Sequence, residues 1–391
     1  MLLFSMDEYK ARLFETKKRM NEKGLDALIL ADPANMNYLT GYDGWSFYVP
    51  QYVIVEKNAD SPLWIGRGMD ANGAKHTTWL SDDDIIGYPD DYVQNPVKHP
   101  MNYVAEKMSE RGWGRGNVGV ETDAYYFTAR CYLEIVKSLN NAKIVDAHNL
   151  VNWIRLVKSD AEIAYMKKAG KIIEKVMQAA INKVAPGVRE CDAVAEVYRT
   201  QVSGTESFGG DYPSIVPMMP SGEKTSTPHL TWTDEPYGNE LAVNLELAAC
   251  CHRYHSPMAR TLYLGKNPPE KLVSTAEIVV DGLNKTLAAI KPGMACEEVE
   301  LVWRNHISKH GLKKESRIGY PMGLNYPPDW GEHTCSLRPG DKTVLKPNMT
   351  FHMILGMWMD NWGFEASESL YVTENGCATF AEFPRKLFIK S

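Results

Sequence analysis

A carboxylate in the middle of an apolar strand is expensive to bury alone, so Glu246 in the run LAVNLELAA marks a place where chemistry is expected. Leu245 and Leu247 flank it on the opposite face of a strand. Glu246 therefore points either to a solvated sheet face or into a site. Upstream, Ser226-Thr227-Pro228-His229 presents a histidine in a loop, the residue type suited to moving protons near neutral pH. Cys251, His252 and His255 lie close together, but their spacing is not that of a zinc motif. Proton transfer and nucleophilic attack by side chains are the chemistry these residues offer.

The elements that must hold them can be read around the same stretch. Residues 239–265 read as a β-hairpin, with an apolar strand over 241–249, a polar turn around 252–256 and a returning strand ending Arg260-Thr261-Leu262-Tyr263-Leu264-Gly265. Ser159 with Glu162 three residues on forms a capping box, and a periodic helix then runs over 161–184 to the stop at Pro186-Gly187. Helices follow near 188–202, 269–290 and 296–310. Before the box, an amphipathic helix over 5–23 and the runs LDALILAD, YVIVEK, PLWIG, VGVETD and AKIVDA alternate helix with strand, an α/β layer. The fold class expected is α/β (α+β), with one domain over 1–155 and a second over 156–391.

Bulk composition narrows the function classes. Of 391 residues, 24% are charged and 44% hydrophobic, and the net charge is −6, so a basic nucleic-acid footprint is not expected. No uncharged apolar run approaches the roughly eighteen residues of a membrane span. The first residues are too short an apolar segment for a signal-peptide core. Seven scattered cysteines, two of them adjacent at Cys250-Cys251, suit reduced thiols. A cytoplasmic protein acting on a small molecule, with no nucleic-acid or membrane partner, is the expectation.

The hairpin resembles the metal-binding hairpin of the pita-bread family that includes methionine aminopeptidase, prolidase, aminopeptidase P and creatinase. Metal-using members place two aspartates there, followed by x-x-Arg-Thr. Counting back from Arg260-Thr261, the matching positions are Glu246 and Pro257, with ten residues between them. The family's histidine matches Tyr320 in Gly319-Tyr320-Pro321-Met322-Gly323, and its two glutamates match Ile354 and Ser367, the latter between Glu365 and Glu368. Proline and isoleucine cannot ligate a cation, so the reading is a site with no metal and no cofactor. The pattern around Arg155-Leu156-Val157-Lys158-Ser159 resembles the opening of that family's catalytic domain, which implies a creatinase/prolidase-like N-terminal domain followed by a pita-bread domain.

Within the family the chain is similar to the metal-free ectoine hydrolases through GYDGWSFYVPQY, VNLELAACCHRYHSPMARTLYLG and GYPMGLNYPPDWGE. The resemblance implies opening of the cyclic amidine ectoine to N-acetyl-2,4-diaminobutyrate, in a homodimer whose N-terminal loop closes the partner's site. His229 falls where creatinase carries its catalytic histidine. Without metal the substrate must supply its own electrophile, and an amidinium does so because its positive charge sits on the carbon that water attacks. The expected catalytic residues are Glu246 as nucleophile or base, His229 as proton carrier, Tyr320 at the tetrahedral centre and Glu365 on the amidinium N–H. From the aromatic set Tyr42, Trp45, Phe47, Tyr48 and Tyr52, the expected substrate contacts are Trp45, Tyr48 and Tyr52, through cation–π attraction. The substrate carboxylate needs a cation, for which Arg260, Arg317 and Arg338 are unranked candidates, Arg338 being counted among the substrate-binding residues. Hydrolysis of another amidine or guanidine, a metal-dependent Xaa-Pro dipeptidase and a non-catalytic binding module are the competing readings.

Overall fold

The computed structural model describes residues 2–391, which divide into two compact units, one ending at Arg155 and the other Leu156–Ser391. The first unit is built on strands β1 (Ala27–Leu30), β2 (Tyr52–Glu56), β3 (Leu63–Arg67), β4 (Ile85–Tyr88), β5 (Gly116–Val120) and β6 (Ala142–Asp146). They form one six-stranded sheet in the order β4-β3-β2-β1-β5-β6. β2 runs antiparallel to β1 and β3, and the β3–β4, β1–β5 and β5–β6 pairings are parallel. Helices α1 (Met6–Glu22), α2 (Pro33–Thr40), α3 (Ala71–Thr77), α4 (Pro100–Glu110), α5 (Ala129–Ser138) and α6 (Leu150–Arg155) complete the unit. The apolar faces of α4 and α5 bury Met101, Val104, Met108, Cys131 and Ile135 against the sheet. β4, α3 and α4 were not anticipated from sequence, because the segment around them is rich in Asp, Pro and Tyr and its apolar runs are short.

The aromatic set of this unit splits. Tyr52 is fully buried in β2, where its hydroxyl donates to Cys131 Sγ at 3.2 Å, and Tyr42 is buried with its hydroxyl on Ser46 and Gln51. Phe47 is buried too, whereas Trp45 is 56% exposed and Tyr48 70% exposed. Tyr52 is therefore a core residue of the sheet and cannot touch a substrate, which corrects the expectation for it. Strand alternation had put its ring on the buried face.

The second unit opens with α7 (Asp160–Lys183), whose N-terminus carries the capping box: Glu162 N–H donates to Ser159 Oγ at 3.2 Å and Ser159 N–H donates to the Glu162 carboxylate at 2.8 Å. α8 (Glu190–Ser203) follows, then the hairpin strands β7 (Leu241–Cys251) and β8 (Tyr254–Leu264). The turn is tighter than expected: only His252 and Arg253 lie outside the strands, both at positive φ, 50° and 68°. His255 and Ser256 are thus inside β8 and fully buried. Helices α9 (Glu270–Ala289) and α10 (Cys296–Ser308) precede the strands β9 (Gly319–Pro321), β10 (Thr350–Ile354), β11 (Met357–Trp358), β12 (Gly363–Phe364), β13 (Ser367–Val372), β14 (Cys377–Thr379) and β15 (Phe388–Lys390). β14, β13, β10 and β9 pair antiparallel in that order, β15 adds parallel to β8 at the edge of the hairpin, and β11 pairs with β12.

Two apolar cores sit on either side of the hairpin. α7 and α8 pack on the odd-numbered side chains of β7, Val243, Leu245, Leu247 and Ala249, together with Met258, Leu262 and Leu264 of β8. α9 and α10 pack on β10, β13 and the strands around them through Val279, Leu283, Trp303, Phe351, Met353 and Leu370. Period-two alternation then turns Asn244, Glu246 and Ala248 away from the α7–α8 core. That face of the hairpin carries the polar residues Asn244 and Glu246.

Candidate active site

Glu246 is 5% exposed, so the solvated-face reading is excluded. Its backbone is fixed on both sides: it lies opposite Ala259 of β8, and it exchanges hydrogen bonds with Met218 at 2.9 and 3.1 Å on the other edge. The carboxylate itself has no hydrogen-bond partner among the described residues. Glu365 is brought near it by β8. The Thr261 hydroxyl accepts the Glu365 N–H at 2.8 Å and donates to Asn244 Oδ1 at 2.8 Å, so a threonine of the Arg-Thr pair ties the second carboxylate to the first strand.

Glu365 is also fully buried. Its Oε1 accepts the indole N–H of Trp358 at 2.7 Å, and its Oε2 is buried with no partner among the described residues. An unpaired buried carboxylate oxygen costs about 1–3 kcal/mol or more, which marks it as an acceptor awaiting a donor. Burial, and then the charge of Glu365, push the Glu246 carboxyl well above the usual carboxylate range. Burial lifts Glu365 to about 7 against the opposing effects of the Trp358 hydrogen bond and Lys314.

Lys314 is the cation of this group. Its ammonium donates to the Gly356 carbonyl at 2.9 Å and lies 4.2 Å from the Trp358 ring centroid. Burial lowers it to about 8, against the pull of Glu365 and Glu246. Gly356 makes this possible, because a Cβ there would stand 2.3 Å from the Trp358 ring. Lys314 forms no ion pair with either carboxylate among the described residues.

Beside the carboxylates runs a chain of hydrogen bonds. Trp330 Nε1–H donates to the Tyr320 hydroxyl at 2.9 Å, Tyr320 Oη meets His352 Nδ1 at 2.9 Å, and His352 Nε2 meets Ser367 Oγ at 2.8 Å, which also accepts the Ala259 N–H at 2.6 Å. His352 is fully buried and held down to about 3 by burial and the Arg317 charge, so it is neutral. The Arg317 guanidinium lies 4.4 Å from the Tyr320 ring centroid. Burial and then the charge of Glu246 raise the Tyr320 phenol far above its ordinary value, so it stays a neutral hydrogen-bond donor. Asp329 faces the same group. Burial opposes its ionisation, but hydrogen bonds from His333 and Gly331 prevail and keep its carboxyl low.

The five positions that match the family's metal ligands hold Glu246, Pro257, Tyr320, Ile354 and Ser367. Pro257 and Ile354 carry no donor, Tyr320 is held protonated, and the Ser367 hydroxyl is occupied by His352 and Ala259. The Lys314 ammonium adds a positive charge nearby. This donor set does not fit a pair of divalent ions. Among the described residues there is also no cluster of three acidic, histidine or cysteine side chains suited to one.

Several expected participants make no hydrogen bond to Glu246 or Glu365 among the described residues. His229 is exposed and has no hydrogen-bond partner among the described residues, so nothing holds it against Glu246. Arg338 is exposed, with no side-chain hydrogen bond or ion pair among the described residues. Arg260, a candidate for the substrate carboxylate, is instead fully buried, with its donors spent on Glu368, Ala259, Ser367, Phe383 and Pro384. Glu368 pairs with Arg260 and Arg385 and takes no part in the site. His255 accepts the Ser214 N–H at 2.9 Å and meets the Gly323 carbonyl at 3.1 Å, which leaves no ring nitrogen for a zinc ion. Lys314, Trp358 and His352 were missed as site residues. Lys314 sits in the polar run LKKESR, which reads as solvated loop, and only the Phe351-His352 pair hinted at the histidine.

Residues 164–374 match metallopeptidase family M24, and residues 12–157 match the creatinase/prolidase N-terminal domain. The chain belongs to the M24 family. Among M24 relatives, the ectoine hydrolase of Halomonas elongata is 45% identical, over 100% of this chain and 99% of its own. The Xaa-Pro dipeptidase of Pyrococcus furiosus is 26% identical over 97% of this chain and 99% of its own. A prolidase structure from Thermococcus sibiricus superposes with a TM-score of 0.85 at 20% identity, covering 99% of this chain and 100% of that one, which shows the shared M24 fold.

Proposed function

We propose that this M24 hydrolase opens ectoine to N-acetyl-diaminobutyrate without a metal ion. The observation that carries the reading is the buried pair of Glu246 and Glu365, each with unused acceptor oxygens beside a neutral phenol donor. A cyclic amidinium has two N–H groups flanking an electrophilic carbon, which suits two carboxylates that otherwise share one buried space. The 45% identity to an ectoine hydrolase supports the choice of amidine.

Glu365 Oε2 accepts one amidinium N–H. Glu246 either removes a proton from water as a C–O bond forms at the amidinium carbon, or attacks that carbon itself. The Tyr320 hydroxyl donates to the tetrahedral centre, which its raised pKa permits at any working pH. One C–N bond then breaks and the departing nitrogen takes a proton, returned by Glu246 on the water route or delivered by His229; on the nucleophile route water then cleaves the bond between Glu246 and the former amidine carbon, giving the acetamide carbonyl and freeing the carboxylate. The cation of the substrate lowers both carboxyls into their charged forms on binding, so a pair held partly protonated when empty becomes competent when filled.

The reading includes a cytoplasmic homodimer in which the exposed rings of Trp45 and Tyr48 close the partner's site. Unpaired cysteines throughout are consistent with a reducing compartment. Incubating the purified protein with ectoine and following the acetyl methyl signal by proton NMR tests the reaction. Appearance of N-acetyl-diaminobutyrate is expected, and its absence with active, folded protein overturns the proposal.

A further inference from the structure

We infer that Lys314 binds the carboxylate of the substrate and thereby selects zwitterionic cyclic amidines over purely cationic ones; this rests on the amidine reading above. Three observations carry it. The ammonium has three N–H donors and spends one on the Gly356 carbonyl. Its position is fixed by the face of Trp358, whose edge is bonded to Glu365, so one indole holds the cation on its face and the carboxylate at its N–H edge. It forms no ion pair with Glu246 or Glu365 among the described residues, so the group is a fixed dipole, anionic at one end and cationic at the other, with unspent hydrogen-bond capacity at both.

A bare cation entering such a site meets two carboxylates but also a half-buried ammonium that repels it. A ligand carrying its own carboxylate places opposite charge at each end, and the low dielectric of the site makes both contacts strong. The other nearby cations are held away from the Trp358 face. Arg260 has spent its donors on backbone carbonyls and Glu368, and Arg317 lies over the Tyr320 ring with a bond to Ser336 at 3.1 Å.

The test compares ectoine with the carboxylate-free cyclic acetamidine of the same ring, in the wild type, Lys314→Met and Lys314→Arg. The wild type should prefer ectoine in kcat/KM by about ten- to hundredfold, the size of one charge-assisted hydrogen bond. Lys314→Met, which keeps the stem over Trp358, should raise KM for ectoine by that factor with a smaller change in kcat, and should still turn over the carboxylate-free amidine. Lys314→Arg should recover part of the preference. A wild type with no preference, a Lys314→Met enzyme that retains it, or equal loss on both substrates overturns the assignment. If the wild type turns over neither amidine, the amidine reading itself has failed, and the assignment with it. Turnover of ectoine with unaltered preference in Lys314→Met isolates the failure to Lys314.

Discussion

Trp358 donates its indole N–H to Glu365 at 2.7 Å, and by occupying Oε1 it leaves Oε2 as a buried acceptor with no partner among the described residues. That single bond sets both the orientation and the charge of the carboxylate. It stabilises the ionised form against a desolvation that alone would lift the group higher still.

Replacing Trp358 by Phe keeps a ring under Lys314 and removes only the donor. Glu365 should then titrate above its present value of about 7. A hydrogen bond to a charged group is worth about 1.5–3 kcal/mol, so the acid limb of the kcat/KM profile should move up by roughly one to two pH units. A profile recorded on the variant that overlays the wild type would contradict the role given to this bond.

In the wild type the same groups predict a narrow bell. Activity should rise as Glu365 ionises near pH 7 and fall as Lys314 loses its proton near pH 8. Initial rates across pH 5.5–9.5 at low substrate, with about half-unit steps, check this. A flat profile through that window would show that neither group titrates in the free enzyme.

Glu246→Gln should abolish turnover, with a loss of at least about a hundredfold. Its effect on stability has the opposite sign. Because burial and Glu365 raise the Glu246 carboxyl above its unfolded value, the stability tied to its proton is fully present below the unfolded pKa and is lost as pH rises through the folded one. The uncharged glutamine escapes that loss, so the variant should melt no lower than the wild type at pH 7.5 and higher as pH rises further (order of magnitude, ~1 kcal/mol per buried charge avoided). Retained activity, or a lower melting temperature across this range, would contradict the buried-pair account.

The hairpin, the capping box and both helix pairs could be read from sequence because each is a local pattern: period-two apolar runs in β7, a Ser-x-x-Glu start at Ser159, and stops at Pro186 and Gly187. Glu246 could be read because a charge in such a run breaks the pattern. Lys314 could not, since a lysine in a polar loop looks solvated until β11 and Gly356 bring the Trp358 face against it. Tyr52 misled for the converse reason: an aromatic near a candidate binding loop is indistinguishable in sequence from one turned into a sheet. The spent donors of Arg260 depend on β13 and the 383–384 backbone, more than a hundred residues away along the chain.

Tyr320→Phe should leave the fold intact and lower kcat by about a hundredfold, as for the loss of one donor at a developing oxyanion, with little change in KM. His229→Ala separates the two sources of the leaving-group proton: a rate near wild type assigns it to Glu246, and a loss comparable to that of Tyr320→Phe assigns it to His229. Steady-state kinetics on ectoine read both, and a Tyr320→Phe enzyme with unchanged kcat would remove the phenol from the mechanism.

In the proposed mechanism carboxylates and a phenol do the work of a metal pair. This is tested most directly by the proton NMR time course of ectoine with protein stripped by EDTA and checked for residual metal. The account predicts conversion to N-acetyl-diaminobutyrate at the rate of the untreated protein, unchanged when manganese or zinc is added back. Loss of turnover on stripping and its return with added metal would contradict it.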